Sequence, residues 1–207
     1  MHTNRSDADL LDMLRVGDES AFVALYRRRQ PGIYRFVLRM SGSASVAEDV
    51  TQEVFMHLMH GNGNFDAARG SIQSYLFGIA RNQVLRRIER ERGLFPIAQD
   101  DETDSRAAEI LIAPHNPLVD LTRRETIESV RQAVLALPTH YREVVVLCDL
   151  HEMSYLEAAE VLGCAIGTVR SRLHRARAIL VEKLRALNTN AELEAEVQTT
   201  EPAQCFV

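Results

Sequence analysis

The sequence lacks tryptophan and contains only three cysteines among 207 residues. Cys148, Cys164 and Cys205 are widely spaced with no Cys-x-x-Cys pair, so neither a zinc site nor a disulfide framework is indicated. Apolar runs such as Val144 to Cys148 are far shorter than the about 20 residues of a membrane helix. The polar start MHTNRSDADL is unlike a secretory signal. These absences predict a cytoplasmic protein with no membrane insertion, no bound metal and no other cofactor.

Charge of each sign is concentrated in separate blocks, although the net charge is only −5. Residues 61–92 hold six arginines against three acids, and residues 164–187 hold six bases against one acid. The intervening residues 93–122 hold six acids against one base, and residues 188–207 hold four acids and no base. Because nucleic acid is attracted by local positive potential, the two basic blocks are compatible with DNA binding despite the acidic total.

Two helices joined by a tight turn are predicted between Ser154 and Leu180. Ser154 and Glu157 form a capping box that begins the first helix, and Gly163 is expected to end it. The second helix buries Val169, Leu173, Ala176 and Leu180. Its remaining positions carry Thr168, Arg170, Ser171, Arg172, His174, Arg175 and Arg177. A helix-turn-helix places such a second helix in the major groove, where arginine reads guanine.

An ordinary solvated surface is the alternative interpretation of this basic helix, since arginine is a good helix former. However, no acid follows these arginines until Glu182. They therefore lack the i,i+4 partners of a typical solvated helix face, and DNA binding is the favoured interpretation.

A helix over residues 45–60 is predicted to carry an exposed stripe with spacing i, i+3, i+4 and i+7: Asp49, Gln52, Glu53 and Met56. Spacing alone favours a solvated surface over a partner site. A metal-binding interpretation is also open, because Asp49, Glu53, His57 and His60 lie near ligand spacing. It requires ligands from several facing helices, and the sequence offers no second cluster.

A glycine-rich loop over residues 61–70 contains Asn64, Phe65 and Asp66, and Ser71 is expected to cap a long helix that follows it. That helix carries Tyr75, Asn82, Arg86 and Arg87. Aromatic rings beside arginines suit single-stranded DNA, because bases stack on the rings while arginine holds phosphates. Alternatively, the aromatic residues Tyr75 and Phe77 belong to the core.

The rest of the sequence predicts an all-α protein, because no two segments are apparent that could pair as β-strands. Helices are expected over residues 9–16, 18–40 (as one kinked helix or two, because of Pro31), 125–137 and 141–150. We predict a first helical domain at 6–92, a flexible acidic linker at 93–122, a second domain at 123–187 and a frayed acidic tail at 188–207.

The string SYLEAAEVLGCAIGTVRSRLHRAR resembles the second conserved domain of bacterial RNA polymerase sigma factors of the extracytoplasmic-function (ECF) group. The resemblance begins near Ile127 and includes Leu137-Pro138 and Tyr141-Arg142-Glu143. It implies that residues Thr168 to Arg177 read the −35 promoter element. The fold it implies is two helical domains, sigma domain 2 and the helix-turn-helix sigma domain 4.

Two further strings carry the same resemblance. AEDVTQEVF is similar to the sigma helix that grips the clamp of the largest polymerase subunit, which makes the Asp49 stripe a polymerase contact. SYLFGIARNQVLRR resembles the −10 reading and melting region, with Tyr75 where many members have tryptophan and Arg86 where aspartate is frequent. The family places a flipped −10 base in the loop formed here by Asn64 to Asp66.

The resemblance therefore implies a non-enzymatic partner of core RNA polymerase and promoter DNA that is controlled by an anti-sigma factor. The linker is expected to thread the polymerase cleft. A free-standing helix-turn-helix regulator is the main alternative, and a metallo-hydrolase is the other.

Overall fold

The computed structural model describes the backbone of residues 5–60, 65, 70–94 and 117–199, and the side chains of residues 5–60, 65, 70–90 and 126–185. The described elements are α1 (Asp7–Arg15), α2 (Glu19–Ser41), α3 (Ala44–His60), α4 (Ile72–Leu94), α5 (Pro117–Leu135), α6 (Thr139–Val145), a π-helical turn (Val146–Leu150), α7 (Tyr155–Leu162) and α8 (Ile166–Thr199). These residues include no strand, so the predicted all-α fold is confirmed. Most of the predicted linker, residues 95–116, lies outside the described residues.

Helix ends follow local capping chemistry. Asp18 accepts hydrogen bonds from the Ser20 and Ala21 amides at the start of α2, and Gly42 ends that helix in the left-handed conformation at φ 74°. Because a left-handed residue without a Cβ carries no steric penalty, glycine suits this position. Ser71 Oγ accepts from the Ser74 amide at the start of α4, as the sequence predicts.

Several helix ends differ from the sequence expectation, and α5 begins at Pro117, inside the predicted linker. Helix α3 begins at Ala44, one residue before the predicted start, and Ser43 accepts from the Val46 amide there. Of the two alternatives for residues 18–40, the structure shows a single helix, since α2 continues through Pro31. Helix α8 continues to Thr199, so much of the predicted frayed tail is helical. No glycine or proline lies between Thr168 and Thr199, and residues 191–198 hold three glutamates, two alanines and one leucine, which favour helix.

Helices α1–α4 form one bundle and α5–α8 form another, and the two bundles pack against each other through α2 and α4. Phe36 is fully buried and Phe77 is 4% exposed, which resolves Phe77 as a core residue. The five-residue apolar stretch at Val144–Cys148 is helical, as the sequence predicts, and mostly buried. In the part of the chain that is described, no helix has the length and hydrophobicity to cross a bilayer.

Candidate functional site

The helix-turn-helix predicted from the sequence is present at α7–α8. The Ser154 hydroxyl and the Glu157 carboxylate exchange hydrogen bonds with each other's backbone amides at 3.2 and 2.9 Å. Gly163 ends α7 at φ 62°, ψ 37°, and the Cys164 amide donates back to the Ala159 carbonyl. This tight turn allows α7 to pack against α8, and the packed face is apolar: Val169, Leu173 and Ala176 are buried.

The opposite face of α8 presents the predicted DNA-reading residues to solvent. Arg170, Ser171, His174, Arg175 and Arg177 are exposed, and Thr168 and Arg172 are half-buried. The Ser171 hydroxyl donates to the Thr168 carbonyl at 3.1 Å, so part of its hydrogen-bonding capacity is used within the helix. The Arg170 guanidinium lies 5.7 Å from the centroid of the Tyr155 ring, which is within cation–π range.

Arg177 has a carboxylate partner that helix spacing does not reveal. Its Nη2 and Nε atoms donate to the two carboxylate oxygens of Asp149 at 2.6 and 3.1 Å. The hydrogen bond and the charge of Asp149 raise the pKa of Arg177. Among the described residues, Arg172 and Arg175 have no such carboxylate partner, so they retain free donors for a ligand.

The predicted stripe on α3 is exposed at all four positions, Asp49, Gln52, Glu53 and Met56. Its two acids share one cation: Arg87 of α4 donates to Asp49 at 3.1 Å and to Glu53 at 2.6 Å. The Asp49 and Glu53 side chains nevertheless remain 64% and 49% exposed, whereas the Arg87 side chain is 24% exposed. The acids can therefore accept further donors, while Arg87 is largely committed to them.

The α4 face brings together part of the predicted single-strand site. The Phe65 and Tyr75 rings lie 5.5 Å apart, and burial raises the pKa of the Tyr75 hydroxyl. Asn82 and Arg86 are exposed on the same helix. Arg15 of α1 donates to the Phe65 carbonyl at 2.7 Å, which holds this part of the loop. The other two predicted loop residues, Asn64 and Asp66, lie outside the described residues.

A polar contact that the sequence analysis missed joins the two bundles. Arg81 of α4 pairs with Glu143 of α6 at 2.7 Å, and the two side chains are 22% and 3% exposed. The neighbouring Arg142 donates to the Met40 carbonyl at the end of α2 and to the Leu137 carbonyl. Arg81 and Glu143 are 62 positions apart in the chain, and Arg142 and Met40 are 102 apart. No local sequence pattern therefore indicates these two contacts between the bundles.

His151 lies between the bundles, with its ring centroid 6.2 Å from that of Phe36 and 5.2 Å from that of Phe77. Burial lowers the pKa of His151 from 6.5 to about 4, with smaller contributions from the positive charges of Arg39 and Arg35. The imidazole is therefore neutral in the folded protein at neutral pH.

This lowered pKa predicts a pH-dependent stability. As pH falls from about 6.5 to about 4, the unfolded chain binds a proton at His151 before the folded chain does, so the stability contributed by the neutral ring is lost over that interval. Thermal unfolding of the His151→Leu variant should show a smaller drop in midpoint over this pH range than the wild type. His174→Leu, at an exposed position, should follow the wild type; equal slopes for His151→Leu and wild type would contradict the prediction.

The metal-binding interpretation of α3 gains no geometric support. Within the described ranges, no group of three or more His, Cys, Asp or Glu side chains converges on one point. The His60 ring nitrogen Nδ1 instead lies 2.8 Å from the Met56 carbonyl of its own helix.

Two family models match the chain in the order of its two bundles. Residues 25–93 match Sigma-70 region 2, and residues 127–180 match Sigma-70 region 4. The first match covers α3 and α4 with most of α2, and the second covers the helix-turn-helix.

Similar proteins extend the match beyond these two segments. The ECF RNA polymerase sigma factor SigW of Bacillus subtilis is 31% identical over 86% of this chain and 96% of its own length. The ECF sigma factor SigM of Mycobacterium tuberculosis is 34% identical over 91% of this chain and 90% of its own length.

Two solved structures have the same fold over most of the chain. CnrH, in complex with the cytosolic domain of CnrY, gives a TM-score of 0.65 at 25% identity over 88% of this chain and 99% of its own. The sigma factor RpoE of Bartonella quintana, in complex with the anti-sigma factor NepR, gives 0.62 at 26% identity over 77% and 94%. With both region models matched and relatives aligned along nearly their full length, the chain belongs to the ECF RNA polymerase sigma factors.

Proposed function

We propose that this sigma factor binds core RNA polymerase through α3 and reads its promoter with two separate surfaces, one on each bundle. The observation that carries the proposal is the division of chemistry along the chain. An acidic stripe lies on α3, a basic and aromatic face lies on α4, and a basic recognition helix follows a tight turn in α8. A transcription initiation factor needs all three surfaces, whereas a free-standing regulator needs only the last.

The polymerase contact is assigned to Asp49, Gln52, Glu53 and Met56, which are exposed along one face of α3. Both acids already accept hydrogen bonds from Arg87, and their side chains remain largely exposed. A shared arginine reduces the repulsion between two carboxylates one helical turn apart and fixes their orientation. Arg87 thus supports the polymerase-binding surface, and the −10 contacts are left to its neighbours on α4.

The −10 strand is assigned to the surface formed by Phe65, Tyr75, Asn82 and Arg86. Stacked or adjacent aromatic rings give bases a platform, and an exposed arginine holds the phosphate backbone. The −35 element is assigned to α8, with Arg172 and Arg175 as the strongest candidates for base contacts. Arginine with free donors can form two parallel hydrogen bonds to guanine O6 and N7 in the major groove.

An anti-sigma factor is proposed as the regulating partner. The protein similar to this chain in Bartonella quintana forms a complex with an anti-sigma factor, and CnrH forms a complex with the cytosolic domain of CnrY. We also propose that the chain acts in the cytoplasm, where polymerase and the chromosome are, and that it has no enzymatic activity of its own.

The decisive experiment is DNA footprinting of a target promoter with and without core polymerase. The purified sigma factor should protect nothing discrete, because each basic surface alone gives weak, salt-sensitive attraction. With core polymerase, protection should cover both elements, and thymines near −10 should become reactive to permanganate because they are unstacked. Nanomolar protection of one operator by the protein alone, with no opening after polymerase is added, would replace this proposal by a free-standing regulator.

A further inference from the structure

We propose that the segment leading from α6 into α7, residues 146–155, positions two arginines of the recognition helix for the phosphates beside the −35 element. Asp149 and Tyr155 are the positioning residues, and Arg177 and Arg170 are the arginines that they hold. This inference rests on the proposed function, in which α8 enters the major groove, and it adds a division of roles among the arginines of that helix. The observation that carries it is that this one segment contacts both guanidinium groups.

The α6–α7 segment has an unusual backbone. Val146–Leu150 form the π-helical turn, a rare conformation that is frequent at functional sites. Glu152 follows with a φ of 54°, and a non-glycine residue in the left-handed region carries a conformational cost. The Met153 amide donates to the Leu147 carbonyl at 3.0 Å, and the Met153 side chain is buried. These contacts fix the backbone, so the side chains that it carries have defined positions against α8.

Asp149 holds the guanidinium of Arg177 along one edge. The carboxylate accepts from Nη2 at 2.6 Å and from Nε at 3.1 Å, so the planar group is oriented by a bidentate pair. A guanidinium has five N–H donors, and both Nη1 hydrogens and the second Nη2 hydrogen are left for another acceptor. The Arg177 side chain is 56% exposed, against 28% for Asp149. The free edge of the guanidinium is therefore accessible to a phosphate.

Arg170 is held by the ring of Tyr155 and not by an acid. Its Cζ atom lies 5.7 Å from the ring centroid, which is within cation–π range. Contact with a ring face occupies no N–H donor, and Arg170 is exposed. Tyr155 is the first residue of α7, and the first helix of a helix-turn-helix crosses the DNA backbone. A guanidinium held at this helix end therefore lies beside a phosphate strand when α8 is in the groove.

Helix geometry separates these two arginines from the candidates for base contacts. Arg170 and Arg177 are seven positions apart, so at about 100° per residue they lie within about 20° of each other around α8. Arg172 and Arg175 lie roughly 140–160° from Arg170, on the other flank of the exposed face. The partners of the first two arginines lie beside α8, so both guanidinium groups are held toward that flank. The face with Arg170 and Arg177 is therefore assigned to one phosphate strand.

Asp149 has two opposing effects on DNA binding. Its negative charge repels the phosphates, which weakens binding. Its bidentate contact also orders Arg177 in advance, which removes part of the rotamer entropy that a free arginine loses when it binds. If positioning is the larger effect, Asp149→Asn weakens DNA binding; if charge alone acts, the same change tightens it. The sign of the change therefore distinguishes the two.

Promoter binding by the holoenzyme, the sigma factor with core polymerase, tests this sign. Asp149→Asn should weaken the affinity for a promoter fragment about two- to fivefold, the scale of one exposed ion pair, although it removes a negative charge. Glu152→Gln makes the same change in charge at an exposed position of the same segment and should leave the affinity unchanged or slightly higher. An affinity of Asp149→Asn equal to or above that of Glu152→Gln would overturn the proposal.

A double-mutant cycle shows whether Asp149 acts through Arg177. Arg177→Ala should lower the slope of log affinity against log salt concentration by about one, as expected for one lost phosphate contact. In this background, Asp149→Asn should cause no further weakening, because the group that it positions is gone. Equal weakening by Asp149→Asn in both backgrounds would show that Asp149 only stabilises the domain, and would overturn its positioning role.

Variants of Tyr155 test the second contact. Tyr155→Leu should weaken promoter binding, and Tyr155→Phe should retain what Tyr155→Leu loses, because the ring remains under Arg170. Equal losses in the two variants would assign the contact to the hydroxyl and overturn the role of the ring. If the wild-type holoenzyme protects both promoter elements while Asp149→Asn binds with full affinity, this inference alone fails. If the wild-type holoenzyme gives no footprint, the proposed function fails.

Discussion

Replacing both Asp49 and Glu53 by lysine is expected to abolish binding of core RNA polymerase. Both carboxylates are exposed on one face of α3, so the change places two positive charges on the surface assigned to a basic partner. Like charges facing each other across an interface cost several kcal/mol, and about 2.8 kcal/mol corresponds to a hundredfold loss of affinity. Titration of labelled core polymerase with the variant should therefore show a dissociation constant at least about a hundredfold above that of the wild type.

The intramolecular role of the two acids calls for a control. In the double variant, Arg87 would face two lysines instead of its present partners, Asp49 and Glu53, and this repulsion alone can loosen the contact between α3 and α4. Adding Arg87→Glu restores opposite charges within the protein but not toward polymerase. The triple variant should regain thermal stability and remain unable to bind. Recovery of binding in the triple variant would show that the acids act only within the fold.

A charge-matched control separates surface position from net charge. Glu48→Lys combined with Glu182→Lys makes the same change in total charge at two exposed positions outside the assigned stripe. This variant should bind core polymerase with nearly wild-type affinity, because non-specific charge effects are screened at physiological salt. A comparable loss in this control would assign the effect to total charge and not to α3.

The elements that could be predicted from sequence are those fixed by chemistry within a few residues. The Ser154–Glu157 capping box, the left-handed Gly163 and the cap at Ser71 are all present as expected. Each cap depends on a side chain bonding to a backbone group of its own turn, and Gly163 depends on the low cost of the left-handed conformation for a residue without a Cβ. The exposed stripe on α3 could also be predicted from nearby residues, because the helical period determines which residues share a face.

The contacts that could not be predicted join residues distant in the chain. Asp149 pairs with Arg177 at a separation of 28 residues, and Arg87 reaches Asp49 across 38. Reading α8 as a helix with unpaired arginines omitted Asp149, since local spacing compares a residue only with its own helix. Glu143 belongs to the Tyr141-Arg142-Glu143 string, yet its partner is set by how the bundles pack. Whether a charged side chain is paired therefore depends on which helix packs against its own, and the local sequence does not specify that packing.

The −35 surface gives the second large expected effect. Arg172→Ala should lower promoter-specific transcription by the equivalent of about 1–3 kcal/mol, or roughly five- to 150-fold, if this guanidinium reads a base edge. Arg172 is half-buried on α8 and has no carboxylate partner among the described side chains, so its donors are not committed to an acid of the protein. Transcription in vitro from promoters substituted at each −35 position should show relaxed discrimination at one position only.

Arg177→Ala is the matched comparison on the same helix. The Arg177 guanidinium makes a bidentate ion pair with Asp149, so its donors are engaged inside the domain, and the pair is exposed enough that its own free energy is small. Its loss should weaken transcription from all −35 sequences alike and by less than Arg172→Ala does, without changing the preferred base. If Arg172→Ala also weakens every sequence equally, Arg172 holds a phosphate, and Arg175, with its free donors on the next turn, becomes the base-reading candidate. If Arg172→Ala transcribes the wild-type promoter at full rate, Arg172 makes no DNA contact and the recognition surface must lie elsewhere on α8.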